Sequence, residues 1–228
     1  MGTRTIRRTT VTLPALDAPG LYLSRVTSLE GGRGRVAEFQ YGDTDLRDLD
    51  LADTHLIDGR VTGLSTRRTR LERLRVDSVE FTDCDLSGLR WSDSRITRTV
   101  FRDCRLMGAV LEEITLDDVV FEDCRLDYGT LARVRTAGPV ILSRCTLRET
   151  TFEAGALNDT VLDACDLRLT AFDGGKYNGL DLRGNDLSRI RGVASLKRVV
   201  IDRPQILQLA EALAAELEVT YGEDLDAG

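Results

Sequence analysis

Apolar residues recur at every fifth position through most of this chain. From Leu46 to Thr136, seventeen of the nineteen residues at this spacing are apolar, whereas the frame shifted by one residue holds only five. Beyond a slip of one residue, the spacing resumes from Leu147 to Leu187, where all nine are apolar. A second column, two residues before each of these centres, contains no charged residue, although 30% of the chain is charged. Both columns are therefore predicted to face the interior.

A five-residue spacing fits neither the 3.6-residue turn of an α-helix nor the two-residue alternation of a strand. It fits an all-β solenoid in which five residues form one side of a coil, and four sides complete a square coil of twenty residues. The stretches FTDCDL (81–86), FRDCRL (101–106) and FEDCRL (121–126) begin twenty residues apart and show this larger period. At the parallel-strand spacing of about 4.8 Å, residues 37–189 predict about 7.6 coils and a rod roughly 37 Å long.

The five cysteines occupy one position of the coil, two residues before a central leucine. They are Cys84, Cys104, Cys124, Cys145 and Cys165. Stacked side chains of this kind point in parallel, which suits neither disulfide geometry nor the convergent ligands of a zinc site. The single histidine, His55, falls on an outward position. We therefore interpret the cysteines as small buried hydrophobes and expect no metal or cofactor.

The repeat region is interrupted once, and a different type of segment lies at each of its ends. The slip falls in TAGPVIL (136–142), where a glycine and a proline predict an outward bulge. We divide the chain into an N-terminal cap with weak repeats (1–36), the repeat region (37–189) and a C-terminal cap (190–228). Asp202 at the N-cap position and Gln205 at the capping-box position predict a helix over about 203–217.

One face of this helix is predicted to cap the solenoid, since Ile206, Leu209, Ala210, Leu213 and Leu217 share it. Leu207 and Ala214 widen the face, so that the helix could also pair with a second subunit. The residues assigned to cap or dimer contacts are Ile206, Leu207, Leu209, Leu213 and Leu217.

Composition excludes several classes of function. The net charge of −7 argues against direct binding to nucleic acid or to an anionic membrane. No run of eighteen apolar residues predicts a membrane span, and five cysteines without an export signal predict a cytoplasmic protein. The motifs G-x-S-x-G and H-E-x-x-H are absent, and carboxylates on an open wall lack a water-excluded pocket. The sequence therefore predicts that the protein is not an enzyme.

Acidic residues follow the coil period on the outside. Asp43, Asp83, Asp103 and Asp123 occupy one coil position, with Asp45 and Asp85 beside the first two; four more acids are assigned to the neighbouring side. The arginines of residues 60–75 interrupt this acidic surface. One interpretation is that the charged wall keeps the solenoid soluble, and the alternative is that it binds a partner. The candidate partner-binding residues are Asp43, Asp45, Asp83, Asp85, Asp103, Asp123, Glu112, Glu113, Asp117 and Asp118.

The repeat unit resembles that of the pentapeptide-repeat family: a small residue, Asp or Asn, Leu or Phe, and two polar residues. CDLSG (84–88), ADTHL (52–56), CDLRL (165–169) and NDLSR (185–189) carry the resemblance, which covers about residues 37–189. It implies a right-handed quadrilateral β-helix of pentapeptide repeats with a C-terminal capping α-helix.

The best-understood members of that family are quinolone-resistance proteins that resemble a DNA duplex in size, shape and charge. They occupy the DNA-binding surface of DNA gyrase or topoisomerase IV, and some protect antibiotic producers from their own product. Some members dimerise through the C-terminal region. The resemblance therefore implies a non-catalytic, homodimeric DNA mimic whose partner is a type II topoisomerase, and the alternative is a structural or interaction scaffold for another protein.

Overall fold

The fold is described from a computed structural model covering residues 2–30 and 34–222. The chain winds into a parallel β-solenoid of about seven turns, followed by one α-helix. This confirms the predicted quadrilateral β-helix. No helix within the described ranges is long and apolar enough to cross a membrane.

β4 and β5 are the longest strands and continue around several corners of the coil, whereas β6, β8 and β10 each continue around one. Their bounds are β1 Thr3–Ile6, β2 Thr9–Thr12, β3 Ser24–Arg25, β4 Arg35–Ala52, β5 His55–Glu72, β6 Arg75–Thr82, β7 Arg90–Ser92, β8 Arg95–Arg102, β9 Val110–Glu112, β10 Thr115–Glu122, β11 Thr130–Ala132, β12 Arg135–Thr136, β13 Val140–Ser143, β14 Thr151–Glu153, β15 Thr160–Asp163 and β16 Ala171–Asp173. A 3₁₀-helix (Val193–Ser195) and the helix α1 (Gln205–Glu216) follow.

Strand pairing follows the predicted period and places the slip. Phe81 pairs with Phe101, and Thr115 with Arg135, twenty residues apart. Val119 pairs with Val140, twenty-one residues away. The extra residue therefore lies between β12 and β13, within the stretch that the sequence assigned to a bulge.

Aromatic residues of successive coils stack inside the solenoid. The ring centroids of Phe81 and Phe101 are 4.8 Å apart, and those of Phe101 and Phe121 are 4.7 Å apart, with interplanar angles of 6°. Trp91 meets Phe101 edge-on at 6.3 Å. Because the stacking distance equals the strand spacing, each ring packs on its equivalent in the next coil.

The cysteines form the predicted internal column, and all five are buried and free. Each thiol donates to backbone carbonyls; for Cys104, these are the carbonyl oxygens of Arg102 at 3.3 Å and Phe81 at 3.5 Å. The neighbouring thiol of Cys104 and burial raise the pKa of Cys84 well above the ordinary thiol value. The column therefore packs as small hydrophobes and satisfies its own S–H groups.

The C-terminal end of the solenoid is closed mainly by polar side chains of α1. The ladder extends past residue 189 to the bridge between Asp181 and Val200. Gln205, buried in the described structure, donates to the carbonyls of Leu182 at 3.0 Å and Asn185 at 2.8 Å, and accepts from the Asp202 N–H. The open end of a ladder exposes unpaired backbone groups, so amide side chains suit it better than leucines do.

The predicted capping face of α1 is therefore largely wrong. Leu209 packs partly against the core, and Ala212 is buried. Ile206, Leu213 and Leu217 instead face solvent, with exposed fractions of 58%, 37% and 67%. The last six residues of the predicted C-terminal cap, 223–228, lie outside the described residues, as do 31–33 of the predicted N-terminal cap.

The N-terminal segment also departs from the predicted cap. Strands β1 and β2 form an antiparallel hairpin, and this hairpin packs on the side of the solenoid against Val100, Val120 and Ile141. Residues 24–30 then join the first coil, where Leu29 enters the main core. The segment 2–13, here called the hairpin, thus covers the wall and not the end.

Candidate protein-binding surface

The four sides of the coil are numbered by their central residues. In one coil these are Phe81 for side 1, Leu86 for side 2, Trp91 for side 3 and Ile96 for side 4, all buried. The corner between sides 1 and 2 is diagonally opposite the corner between sides 3 and 4. This frame locates each predicted site residue.

Asp43, Asp83, Asp103 and Asp123 share the corner between sides 1 and 2. Each has a left-handed backbone, with φ between 52° and 55°. Aspartate tolerates this conformation better than most residues do, and the backbone N–H groups of the last three donate to the next coil at 3.0 Å. The corner geometry therefore explains the residue type, and it leaves the carboxylates pointing outward and exposed.

Asp45 and Asp85 lie beside this corner at the start of side 2, where the backbone bridges Ser65 to Asp85. We call the six residues the acidic corner: Asp43, Asp45, Asp83, Asp85, Asp103 and Asp123. The structure brings these six together as the sequence indicated.

Arginines neutralise only part of the acidic corner. Arg144 binds Asp123 through two hydrogen bonds of 2.8 and 2.6 Å, and these hold the pKa of Asp123 below its usual range. Arg105 lies 3.5 Å from Asp85. Within residues 2–30 and 34–222, no basic side chain lies within 4.0 Å of the carboxylates of Asp43, Asp45, Asp83 or Asp103. These four carboxylates remain available to a basic partner.

The other four predicted acids lie away from the acidic corner, on sides 3 and 4. Glu112 and Glu113 lie at the end of side 3, and both bind Arg133. Asp117 binds Arg95 at 2.7 Å on side 4. Asp118 accepts the backbone N–H of Thr12 at 2.8 Å and so anchors the hairpin.

A basic column occupies the start of side 4, beside the corner that lies diagonally opposite the acidic corner. Successive strand partners at this position are Arg35, His55, Arg75, Arg95, Thr115, Arg135, Ala156 and Lys176. An open groove of about 600 Å³ there is lined by basic residues and by the acids Asp53, Asp93 and Glu113. The corner itself therefore has mixed charge, and the basic column lies next to it.

The hairpin forms a small second core on side 1. Val11 is fully buried against Val100, Val120 and Ile141, with Ile6 packed beside them. The three wall residues precede core centres by one position, so each faces outward from the solenoid. Without the hairpin, these apolar side chains would contact water.

Ion pairs fix the hairpin on this strip. Arg4 binds Glu122 at 2.8 Å, beside Arg102 and Arg144. Burial would raise the pKa of Glu122, but the hydrogen bonds from Arg144 and Arg102 and the charge of Arg4 bring it below the ordinary value. The carboxylate is therefore ionised at neutral pH and holds the hairpin by charge.

Arg7 makes the densest set of contacts in the hairpin. It follows β1 in the turn and adopts φ 56°, a conformation that favours glycine. Its guanidinium binds Asp181 at 2.9 Å, Asp163 at 3.1 Å and the carbonyl of Arg183 at 2.6 Å. Many coil corners place other non-glycine residues in the same conformation, so it is the contacts with two acids of the wall that distinguish Arg7.

The sequence analysis did not predict this covered strip, although the sequence contains a pattern that indicates it. Val100, Val120, Ile141 and Val161 are successive strand partners at an outward position, and all are buried. The same position holds Arg60 and Glu80 in earlier coils. A run of β-branched apolar residues on a wall that is otherwise polar predicts a covering segment.

A family comparison identifies the repeat. Residues 74–137 match the family model described as a pentapeptide repeat region. The chain contains a pentapeptide-repeat region. The resemblance drawn from the sequence is thus confirmed in these coils, and no curated protein matches the sequence significantly.

Three solved structures show limited similarity to this chain. A trypsin-treated variant of QnrB1, a plasmid-mediated fluoroquinolone resistance protein, matches with a TM-score of 0.38 and 19% identity over 88% of this chain and 97% of that chain. Full-length QnrB1 gives 0.34 and 18%, over 78% and 89%. HetL, a pentapeptide repeat protein involved in heterocyst differentiation regulation from the cyanobacterium Nostoc sp. strain PCC 7120, gives 0.25 and 15%, over 73% and 86%.

Proposed function

We propose that this pentapeptide-repeat protein is a non-catalytic DNA mimic that presents its acidic corner to the DNA-binding surface of a type II topoisomerase, DNA gyrase or topoisomerase IV. Such binding would confer resistance to a quinolone-type antibiotic or to an antibiotic that the producing cell itself makes. The supporting observation is the set of exposed carboxylates of Asp43, Asp45, Asp83 and Asp103 on one rigid corner, none of them paired with an arginine or lysine in the described residues. A basic surface that normally takes phosphates would attract this ladder.

The basic column favours one orientation on such a partner. It lies beside the opposite corner and would be repelled by a basic surface, so the acidic corner faces the partner. The five free thiols suit a reducing compartment, in agreement with a cytoplasmic partner. The mixed pairs Asp85–Arg105 and Asp123–Arg144 favour the second candidate, a scaffold for another protein.

The test is a gyrase supercoiling assay with and without a quinolone. We expect micromolar wild-type protein to inhibit supercoiling or to protect gyrase from the drug. The double variant Asp83→Asn/Asp103→Asn should weaken this effect about 2- to 30-fold, as expected for two exposed charge pairs. Asparagine also tolerates the left-handed corner, so the fold should persist.

A matched control makes the same change of charge elsewhere. Glu153→Gln/Asp173→Asn removes two exposed acids from side 3 and should leave the gyrase effect unchanged. An inert wild-type protein at micromolar concentration would contradict the topoisomerase proposal and favour the scaffold. Equal losses in both double variants would show that net charge, and not the acidic corner, carries the effect.

We also propose a homodimer through the outer face of α1. Ile206, Leu207 and Leu217 are 58%, 72% and 67% exposed, which concentrates apolar surface on one helix. Leu207→Glu/Leu217→Glu should shift the mass measured by light scattering from dimer to monomer. Glu211→Gln, at an exposed polar position of the same helix, should not. A monomeric wild-type protein at tens of micromolar would exclude this dimer.

A further inference from the structure

The hairpin is held on the wall by side-chain contacts, whereas each coil is held to the next by backbone pairing. Among the described residues, its strands pair only with each other, whereas the wall strands pair with neighbouring coils. The contacts across the interface include apolar packing, the ion pairs of Arg4 and Arg7, the hydrogen bond from Arg7 to the carbonyl of Arg183, and the backbone N–H of Thr12 donated to the side chain of Asp118. No shared backbone ladder would have to break for the hairpin to leave within the described structure.

The surface below the hairpin has a defined chemistry. Three valine or isoleucine side chains form an apolar strip, and three carboxylates flank it: Glu122, Asp163 and Asp181. Glu122 immediately precedes Asp123 of the acidic corner. Arg102 and Arg144 of the wall also bind Glu122, and Arg183 also binds Asp181. Among the described residues, Asp163 has an ion pair with Arg7 alone. Loss of Arg4 and Arg7 would therefore leave Asp163 without a basic partner and make side 1 more negative next to the acidic corner.

We infer that this strip is a binding site for an arginine-bearing β-hairpin, held in cis by residues 2–13 and open to a basic hairpin of the protein partner. An extended segment with arginines at its turn and along its inner face, and β-branched residues between them, fits the strip, because this is what residues 2–13 present. The biological consequence, exposure of more acidic surface to a topoisomerase, rests on the proposed function. The binding site itself does not.

The conformation of the turn allows a test of whether the ion pairs of Arg7 hold the hairpin. Glycine would suit φ 56° better than arginine does. If the turn were only structural, Arg7→Gly should leave the hairpin docked or stabilise it. If the ion pairs with Asp163 and Asp181 hold the hairpin, the same substitution should release it despite the relaxed backbone.

The test uses a fluorescently labelled peptide of residues 2–13, GTRTIRRTTVTL, and measures its anisotropy with the full-length protein. In the wild type, the tethered hairpin competes at an effective concentration on the order of millimolar, so little peptide should bind. The variants Arg7→Glu and Arg7→Gly vacate the strip, and each should bind the peptide at least about tenfold more tightly than the wild type does. Higher salt should weaken this binding.

Controls separate a vacant site from a damaged fold. A peptide carrying Arg7→Glu should not bind either variant, and the variants should keep the melting transition of the solenoid. Hydrogen exchange at residues 3–12 should rise in the variants while the core coils stay protected. Loss of the melting transition in both variants would overturn the claim that the hairpin is a separable ligand.

Three other results would also overturn the inference. The first is failure of the peptide to bind either folded variant, and the second is equal binding of the peptide to the variants and the wild type. The third is a wild-type dimer that Arg7→Glu dissolves, since the strip would then take the hairpin of a second copy. A gyrase assay on Arg7→Glu is a separate test. Inhibition by this variant at a lower concentration than by the wild type would support the idea that the hairpin covers part of the surface that binds gyrase. A wild-type protein without effect on gyrase would refute only the topoisomerase proposal.

Discussion

Leu106→Arg should abolish the cooperative unfolding transition of the solenoid or lower its midpoint by about 6–20 °C. Leu106 is 2% exposed and lies at the centre of side 2, between the coils above and below. An unpaired buried charge costs about 3–5 kcal/mol, a large fraction of the roughly 5–15 kcal/mol that stabilises a typical domain. A circular dichroism melt would measure the change.

Met107→Arg is the matched control, because it adds the same charge one residue further along the chain. Met107 is 36% exposed and faces outward, so its melting midpoint should stay within a few degrees of the wild-type value. A Leu106→Arg protein that melts like the wild type would mean that the inward and outward positions of the coil are exchanged.

The five-residue spacing predicts the solenoid well, for a physical reason. Each coil packs only on its neighbours, so the identity of a residue depends on the residue twenty positions away. The phenylalanine column at 81, 101 and 121, the cysteine column and the bulge near Gly138 all follow from this local rule, and the structure contains each of them.

Features that do not repeat were harder to predict. The hairpin contacts the wall across large sequence separations, such as the 118 residues between Arg4 and Glu122, and no second copy of it exists in the chain to reveal a pattern. The capping face of α1 was misassigned because apolar periodicity identifies leucines, whereas the open ladder needs the amide of Gln205.

The acidic corner illustrates how far spacing alone can go. A twenty-residue interval correctly groups Asp83, Asp103 and Asp123 on one corner. It does not reveal which carboxylates an arginine neutralises, because Arg144 reaches Asp123 only through the one-residue slip that brings position 144 above position 123. The spacing therefore predicts where a site residue lies on the solenoid, but not whether an arginine is paired with it.

Phe101→Ala should produce the second large loss of stability, about 3–5 kcal/mol. Phe101 is 1% exposed, stacks between Phe81 and Phe121, and meets Trp91 edge-on, so the substitution removes contacts with three aromatic rings. The surrounding coils cannot close the cavity, because their spacing is fixed by the backbone ladder. A decrease in melting temperature of about 6–20 °C follows for a chain of this size.

The positions at which Phe101→Ala loses protection from hydrogen exchange should also show how far cooperativity extends along the solenoid. In a solenoid whose coils contact only their neighbours, a cavity at one rung weakens the coils on both sides and leaves the distant ends less affected. Hydrogen exchange should therefore rise most in β6, β8 and β10, and Phe101→Leu should restore most of the protection. Tyr128→Ala, at a 59% exposed aromatic, should change neither measurement. Uniform exchange along the rod would instead indicate one cooperative unit from the first coil to α1.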